Sequence, residues 1–157
     1  MAKSKAKILV VDDNSGIRAA LKVLLPLHFS QVELIPSPKE LVTKLADFRP
    51  DVVLLDMNFH TDINTGNEGL YWLSEIKKRT PETEVVLFTA YADIQLAVEG
   101  MKRGAFDFIV KPWDNDKLVE TLKAAHDRTG KKEKAEVPPS SMTRFRGQGP
   151  AKRGSRQ

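Results

Sequence analysis

A doubly wound α/β fold, in which helices cover both faces of one five-stranded parallel sheet, is the architecture this sequence predicts. Two observations predict it. Short apolar runs rich in Val, Ile and Leu alternate five times with stretches of helical periodicity. Strands joined by helices demand right-handed crossovers, and hence a parallel sheet buried on both sides. In addition, four of the five runs end in a residue with chemistry to offer: Asp12-Asp13, Asp56, Thr89 and Lys111. In such a sheet, ligands gather beyond the carboxyl ends of the strands.

The first run, residues 7–11, is continuous and apolar and stops at Asp12-Asp13, which reads as a strand buried on both faces. Residues 15–27 place Ile17, Ala20, Leu21, Leu24 and Leu25 on one helical stripe. Residues 32–35 make a short second strand. Ser37-Pro38-Lys39-Glu40 supplies an N-cap Ser, a Pro in the first turn and a Glu three residues after the cap. The helix it opens carries Leu41, Leu45 and Phe48 and stops before Pro50. The third strand is DVVLLD over residues 51–56. A polar loop, residues 57–67, leads into a third helix over 68–80 with Leu70, Leu73, Ile76 and Lys77. A fourth strand spans 85–89, and a fourth helix over 93–103 is closed by Gly104. A fifth strand over 106–110 runs into Lys111-Pro112. A fifth helix over 116–128 buries Leu118, Val119, Leu122 and Ala125, with Gly130 marking its end.

The chain divides into a domain over residues 1–130 and a tail over 131–157. The net charge of +4 belongs to the tail, which holds 8 basic and 2 acidic residues, leaving the first 130 residues at −2. The basic balance therefore says little about the folded part, and no nucleic-acid partner is expected from it. The tail is rich in Pro, Gly, Ser and Arg with few apolar residues, a composition that predicts disorder. The absence of cysteine excludes a disulfide scaffold, a thiolate metal site and a cysteine nucleophile. The run over residues 8–11 is too short for a signal-peptide core, and nothing approaches the roughly 20 apolar residues of a membrane span. A cytoplasmic protein with no membrane association is expected. With 157 residues there is room for one ordinary domain, and no attached ATPase or DNA-binding domain is expected.

Taken singly, the strand-end residues are weak signals. An acidic pair after a strand is as often a helix N-cap, a Thr there is usually a cap, and a Lys is usually solvated. All of them at one edge of one sheet make a coherent chemistry. Clustered carboxylates repel one another unless a cation is present. Carboxylates with a backbone carbonyl suit Mg²⁺. A carboxylate held this way can attack a phosphoryl group as a nucleophile. Lys111 would neutralise charge on the transferring group and Thr89 would offer a hydroxyl.

Over roughly residues 6–128 the chain resembles the receiver domains of bacterial two-component response regulators. The matching segments are VVDDN (10–14), LLDMN (54–58), FTAY (88–91) and VKPW (110–113). Residues 91–113 resemble more narrowly the receivers of nitrogen-regulator-class activators. The resemblance implies a flavodoxin-like fold with strand order 2-1-3-4-5. It implies phosphorelay signalling in which Asp56 accepts a phosphoryl group from a sensor histidine kinase. It implies Mg²⁺ held by Asp13, Asp56 and the backbone carbonyl of Asn58, with Asp12 acting through water. Lys111 would bind the phosphoryl group and precede a cis Pro112. Thr89 and Phe108 would be the switch residues, Phe108 standing where the family commonly has Tyr. The surface switched would be that of the fourth helix, fifth strand and fifth helix, read by an unknown downstream protein or by a second copy. Such a protein is no enzyme beyond its own phosphorylation and dephosphorylation.

Two departures from the family pattern concern the loop after Asp56. His60 stands where receivers usually have Pro, and the matching Gly is Gly69, which makes the loop longer. Asp62, Asn64 and Glu68 in and beside that loop read as turn formers in a solvated segment rather than as a second cation site. A phosphatase of the haloacid-dehalogenase type would also use Asp56 with Mg²⁺, but needs an Asp acid two residues later, where Asn58 stands. A flavin carrier of the same fold would need a phosphate loop where this chain has Asp12-Asp13-Asn14. Trp72 and Trp113 read as packing residues.

Overall fold

The computed structural model describes residues 3–57 and 68–134. Five parallel strands lie in the order β2-β1-β3-β4-β5. They are β1 (Ser4–Val11), β2 (Phe29–Ile35), β3 (Val52–Asp56), β4 (Glu84–Ala90) and β5 (Asp107–Lys111). The helices are α1 (Ser15–Leu24), α2 (Leu41–Asp47), α3 (Glu68–Arg79), α4 (Ile94–Lys102) and α5 (Asn115–Lys134). This is the flavodoxin-like architecture expected from the resemblance, with the same strand order.

The two-residue period of the strands sorts the core into two layers. Leu9, Val11, Val53, Leu55, Val85 and Leu87 point to the side covered by α2, α3 and α4, where they meet Leu41, Leu45, Leu70, Leu73, Ile76 and Ala97. Ile8, Val10, Val52, Leu54, Val86 and Phe88 point to the other side, against Leu21, Leu118, Leu122 and Ala125 from α1 and α5. Continuous apolar runs are thus explained by burial on both faces, and all six residues of each set are buried.

Local signals hold at most boundaries. Ser37 caps the turn Pro38–Glu40 that precedes α2, its side chain accepting from the Lys39 N–H. Gly104 closes α4 at φ 108, a conformation that a side chain would strain. Asp114 caps α5 by accepting from the Lys117 N–H at 2.9 Å.

Three boundaries differ from the expected ones. β1 begins at Ser4 rather than residue 7, because Ser4 N–H pairs with His28 O at 2.9 Å. β2 begins at Phe29 rather than residue 32. It is an edge strand whose exposed Ser30 and Gln31 interrupt the apolar pattern between buried Phe29 and Ile35. α5 runs past Gly130 to Lys134. A helical Gly costs about 1 kcal/mol relative to Ala but does not by itself stop a helix, and the lysines and glutamate that follow are good helix formers. The expected tail therefore loses its first four residues to α5, and residues 135–157 lie outside the described residues. So do loop residues 58–67, and with them Asn58, His60, Asp62 and Asn64.

Candidate functional site

The register of the sheet brings the strand ends together. Asp56 ends β3 opposite Phe88, Thr89 pairs with Val110, and Lys111 ends β5 opposite Ala90. Asp12 follows β1, and its N–H bonds to Ile35 O at 3.1 Å, so pairing with β2 fixes the backbone at the point where the acidic pair begins.

At this edge Lys111 Nζ donates to Asp12 Oδ2 at 2.9 Å and to Asp56 Oδ1 at 3.2 Å. Both carboxylates are buried, Asp12 fully and Asp56 to within 2%. Asp13, partly exposed, completes the group: one carboxylate oxygen from each of Asp12, Asp13 and Asp56 lies within 4.8 Å of the others. Asp12 is further held by its surroundings. Its Oδ1 accepts the Asn14 N–H at 2.9 Å, and its backbone carbonyl accepts from Arg18 Nη1 at 2.9 Å. The cap of α1 is Asn14, whose Oδ1 accepts the Ile17 N–H at 2.9 Å. The alternative reading of the acidic pair as that cap is thereby displaced.

Thr89 is fully buried, with its hydroxyl donating to Ala90 O at 3.2 Å. Phe108 is half-buried and packs on the layer beneath α2, α3 and α4. The Lys111–Pro112 bond is cis. Gly69 explains itself by close approach: a Cβ there would lie 2.8 Å from Met57 Cα and 2.9 Å from its sulfur. The first turn of α3 thus packs directly on the residue after Asp56. Glu68 and Trp72 also lie on α3, where Trp72 packs against the core as expected.

Sequence reasoning missed two contributors, Arg18 and Phe88, and read Trp113 correctly as a packing residue but without its partners. Arg18 reaches the Asp12 carbonyl, and nothing in its local pattern distinguishes it from any basic residue on a helix. Phe88, noticed only within FTAY, carries the Lys111 ammonium over its ring at 4.7 Å from the centroid. Trp113 packs on Phe88 with ring centroids 5.3 Å apart and donates to Asn115 Oδ1 at 2.8 Å. These contacts join separate strands and loops, so no single segment announces them.

The profile of the response regulator receiver domain matches residues 8–123. The chain belongs to that family. Among curated relatives, regulatory protein AtoC of Escherichia coli (strain K12) is 34% identical over 112 residues, covering 71% of this chain and 23% of its own. The DNA-binding transcriptional regulator NtrC of Salmonella typhimurium is 35% identical over 118 residues, covering 75% of this chain and 24% of its own. The receiver thus spans about a quarter of the length of these relatives. Among solved structures, the receiver domain of a two-component response regulator from Bacteroides fragilis shows 56% identity and a TM-score of 0.72, covering 78% of this chain and 98% of its own. The receiver domain of NtrX from Brucella abortus shows 32% identity and a TM-score of 0.70, covering 77% and 98%. These relatives accord with a receiver of the nitrogen-regulator class and with phosphorelay signalling. Among the described residues no helix is long and apolar enough to cross a membrane.

Proposed function

We propose that this receiver accepts a phosphoryl group on Asp56, with Mg²⁺ as the required ion. The supporting observation is that Asp12, Asp13 and Asp56 bring carboxylate oxygens within 4.8 Å of one another. Lys111 reaches two of these carboxylates. The three carboxylates outnumber that ammonium, and an all-oxygen donor set fits a hard divalent cation. Asp13, Asp56 and the Asn58 carbonyl would hold the ion, with Asp12 acting through water. When bound, it would offset the repulsion among the carboxylates and the charge of the incoming phosphoryl oxygens.

The chain's own residues do the rest. An Asp56 Oδ attacks phosphorus as the bond to the donor imidazole of a sensor histidine kinase breaks, giving an acyl phosphate and a neutral histidine once its ring is protonated. Lys111 leaves its carboxylate partners for a phosphoryl oxygen, and the Thr89 hydroxyl turns from Ala90 O to another. The space Thr89 vacates admits Phe108. Its ring has no hydroxyl to hold it outward, so the inward state is more populated at rest than with Tyr. The surface of α4, β5 and α5 then changes, to be read by a downstream protein or by a second copy in a homodimer. The working unit is residues 1–130, acting in the cytoplasm without nucleic acid or membrane, and its catalysis is limited to its own phosphorylation and dephosphorylation.

Incubation with acetyl phosphate and Mg²⁺ tests the reading. The intact mass should rise by about 80 Da, the mass of one phosphoryl group on a nucleophilic carboxylate. Asp56→Asn should abolish the gain, and undiminished labelling of that variant sinks the proposal. For the switch, amide exchange with a phosphoryl mimic should change protection between residues 91 and 122. A change confined to residues 57–68 would refute it.

A further inference from the structure

We infer that Phe88 is a positioning residue for Lys111, holding its ammonium at the site by a cation–π contact that the two carboxylates alone do not supply. The inference rests on the reading of Lys111 as the phosphoryl-binding cation. Among the described residues, three groups surround Lys111 Nζ: Asp12 Oδ2 at 2.9 Å, Asp56 Oδ1 at 3.2 Å and the Phe88 ring with its centroid at 4.7 Å. The last is well within the roughly 6 Å over which a ring face attracts a cation. Phe88 is fully buried and the Lys111 side chain is 19% exposed, so the contact is largely shielded from water. Trp113 backs Phe88 at 5.3 Å and is itself anchored to Asn115, which limits the freedom of the ring.

The contact matters because Asp56 is shared between Lys111 and the ion. A divalent ion at Asp13 and Asp56 weakens the pull of Asp56 on Lys111 and repels its charge. The ring face is untouched by that competition. It keeps the ammonium beside Asp56 at the moment when the site must bind both the metal and a phosphoryl group. An aliphatic residue before Thr89 would fill the same space without that pull.

Graded fluorination at position 88 separates this role from packing, since fluorine drains charge from the ring face with little change of shape. Mono-, di- and trifluorophenylalanine introduced at that position should slow Asp56 phosphorylation by acetyl phosphate at saturating Mg²⁺ stepwise, by about three- to tenfold across the series. A flat series overturns the inference. The metal-free resting protein gives a readout independent of phosphorylation. Its melting midpoint should fall along the series with Lys111 present and stay constant in Lys111→Met, whereas equal trends in both backgrounds overturn it. Should Lys111→Met fail to fold, proton spectra decide. The Lys111 ε-methylene protons should resonate upfield of those of exposed lysines and return in Phe88→Leu, and ordinary positions in the native protein overturn the contact. If the native protein gains no phosphoryl group at all, the reading of Asp56 fails, while the melts and spectra still judge the Phe88–Lys111 contact.

Discussion

At the carboxyl edge of the sheet three carboxylates converge, and the Lys111 ammonium reaches two of them, Asp12 and Asp56. At the amino edge the Glu84 carboxylate, 1% exposed, lies between two cations, Lys77 Nζ at 3.8 Å and Arg128 Nε at 3.5 Å. Lys77 also donates to the carbonyls of Pro81 at 3.0 Å and Thr83 at 2.8 Å, tying the end of α3 to the start of β4. Thr83 in turn donates to Pro50 O at 3.2 Å, before β3. Both edges bury acid, but the balance is opposite. Where positive charge matches or exceeds negative charge, the cluster fastens elements together. Where carboxylates are in excess, the protein holds electrostatic repulsion that an added cation relieves. That difference sets the amino edge apart as a fastening of the fold and fits the carboxyl edge to the proposed cation site.

The comparison breaks most sharply at Glu84. Glu84→Ala removes the charge between Lys77 and Arg128 and leaves a cavity at a site closed to water. Removing one partner of a buried pair costs about 3–5 kcal/mol, and these cations rehydrate in part, so a loss of about 2–3 kcal/mol is expected from urea unfolding. Phosphorylation of the folded variant should match the native protein. A variant as stable as the native one would show that the amino edge is not a fastening.

At the other edge the expected sign reverses. Asp13→Asn removes one of three mutually repelling charges while sparing both Lys111 pairs. Without metal it should raise stability by about 1–2 kcal/mol at low ionic strength. Millimolar Mg²⁺ should raise the melting midpoint of the native protein and move that of the variant much less. A destabilised Asp13→Asn, or an equal Mg²⁺ shift in both proteins, would remove the ground for calling this edge a cation site.

The same contrast explains what the sequence made legible. The ligand edge could be read because strand-end residues stand out against apolar runs: Asp12-Asp13, Asp56, Thr89 and Lys111 each interrupt a pattern. The fastening edge could not. Glu84 precedes its run, Lys77 looks like any basic residue near a helix end, and Arg128 sits on an exposed helical face. Their meeting depends on how α3 and α5 pack against β4. Arg18 and Phe88 escaped for the same reason. The two sides of the sheet were foreseeable from the buried runs, whereas the start of the edge strand β2 was not, because one of its faces is partly open and its pattern is broken at Ser30 and Gln31. Gly130 misled because glycine punctuates a helix only when the chain turns there, and here good helix formers follow it.

The smallest effect is expected at His126, where the amino edge has an ion pair in name only. His126 Nε2 lies 3.9 Å from Asp51 Oδ2, beyond hydrogen-bond range, and both side chains are 32% exposed. The Asp51 carboxylate already has a better partner, the Lys7 N–H at 2.9 Å, which ties the turn before β3 to β1. Solvent screens what attraction remains, and exposed pairs of this kind contribute about 0–1 kcal/mol. His126→Gln should therefore change stability by less than about 0.5 kcal/mol, while Asp51→Ala, which frees a strand N–H, should cost about 1 kcal/mol. Urea midpoints of the two variants measured side by side decide it. A His126→Gln loss as large as that of Asp51→Ala would mean that α5 is pinned to β3 through charge, and the amino edge would then have a second fastening beside Glu84.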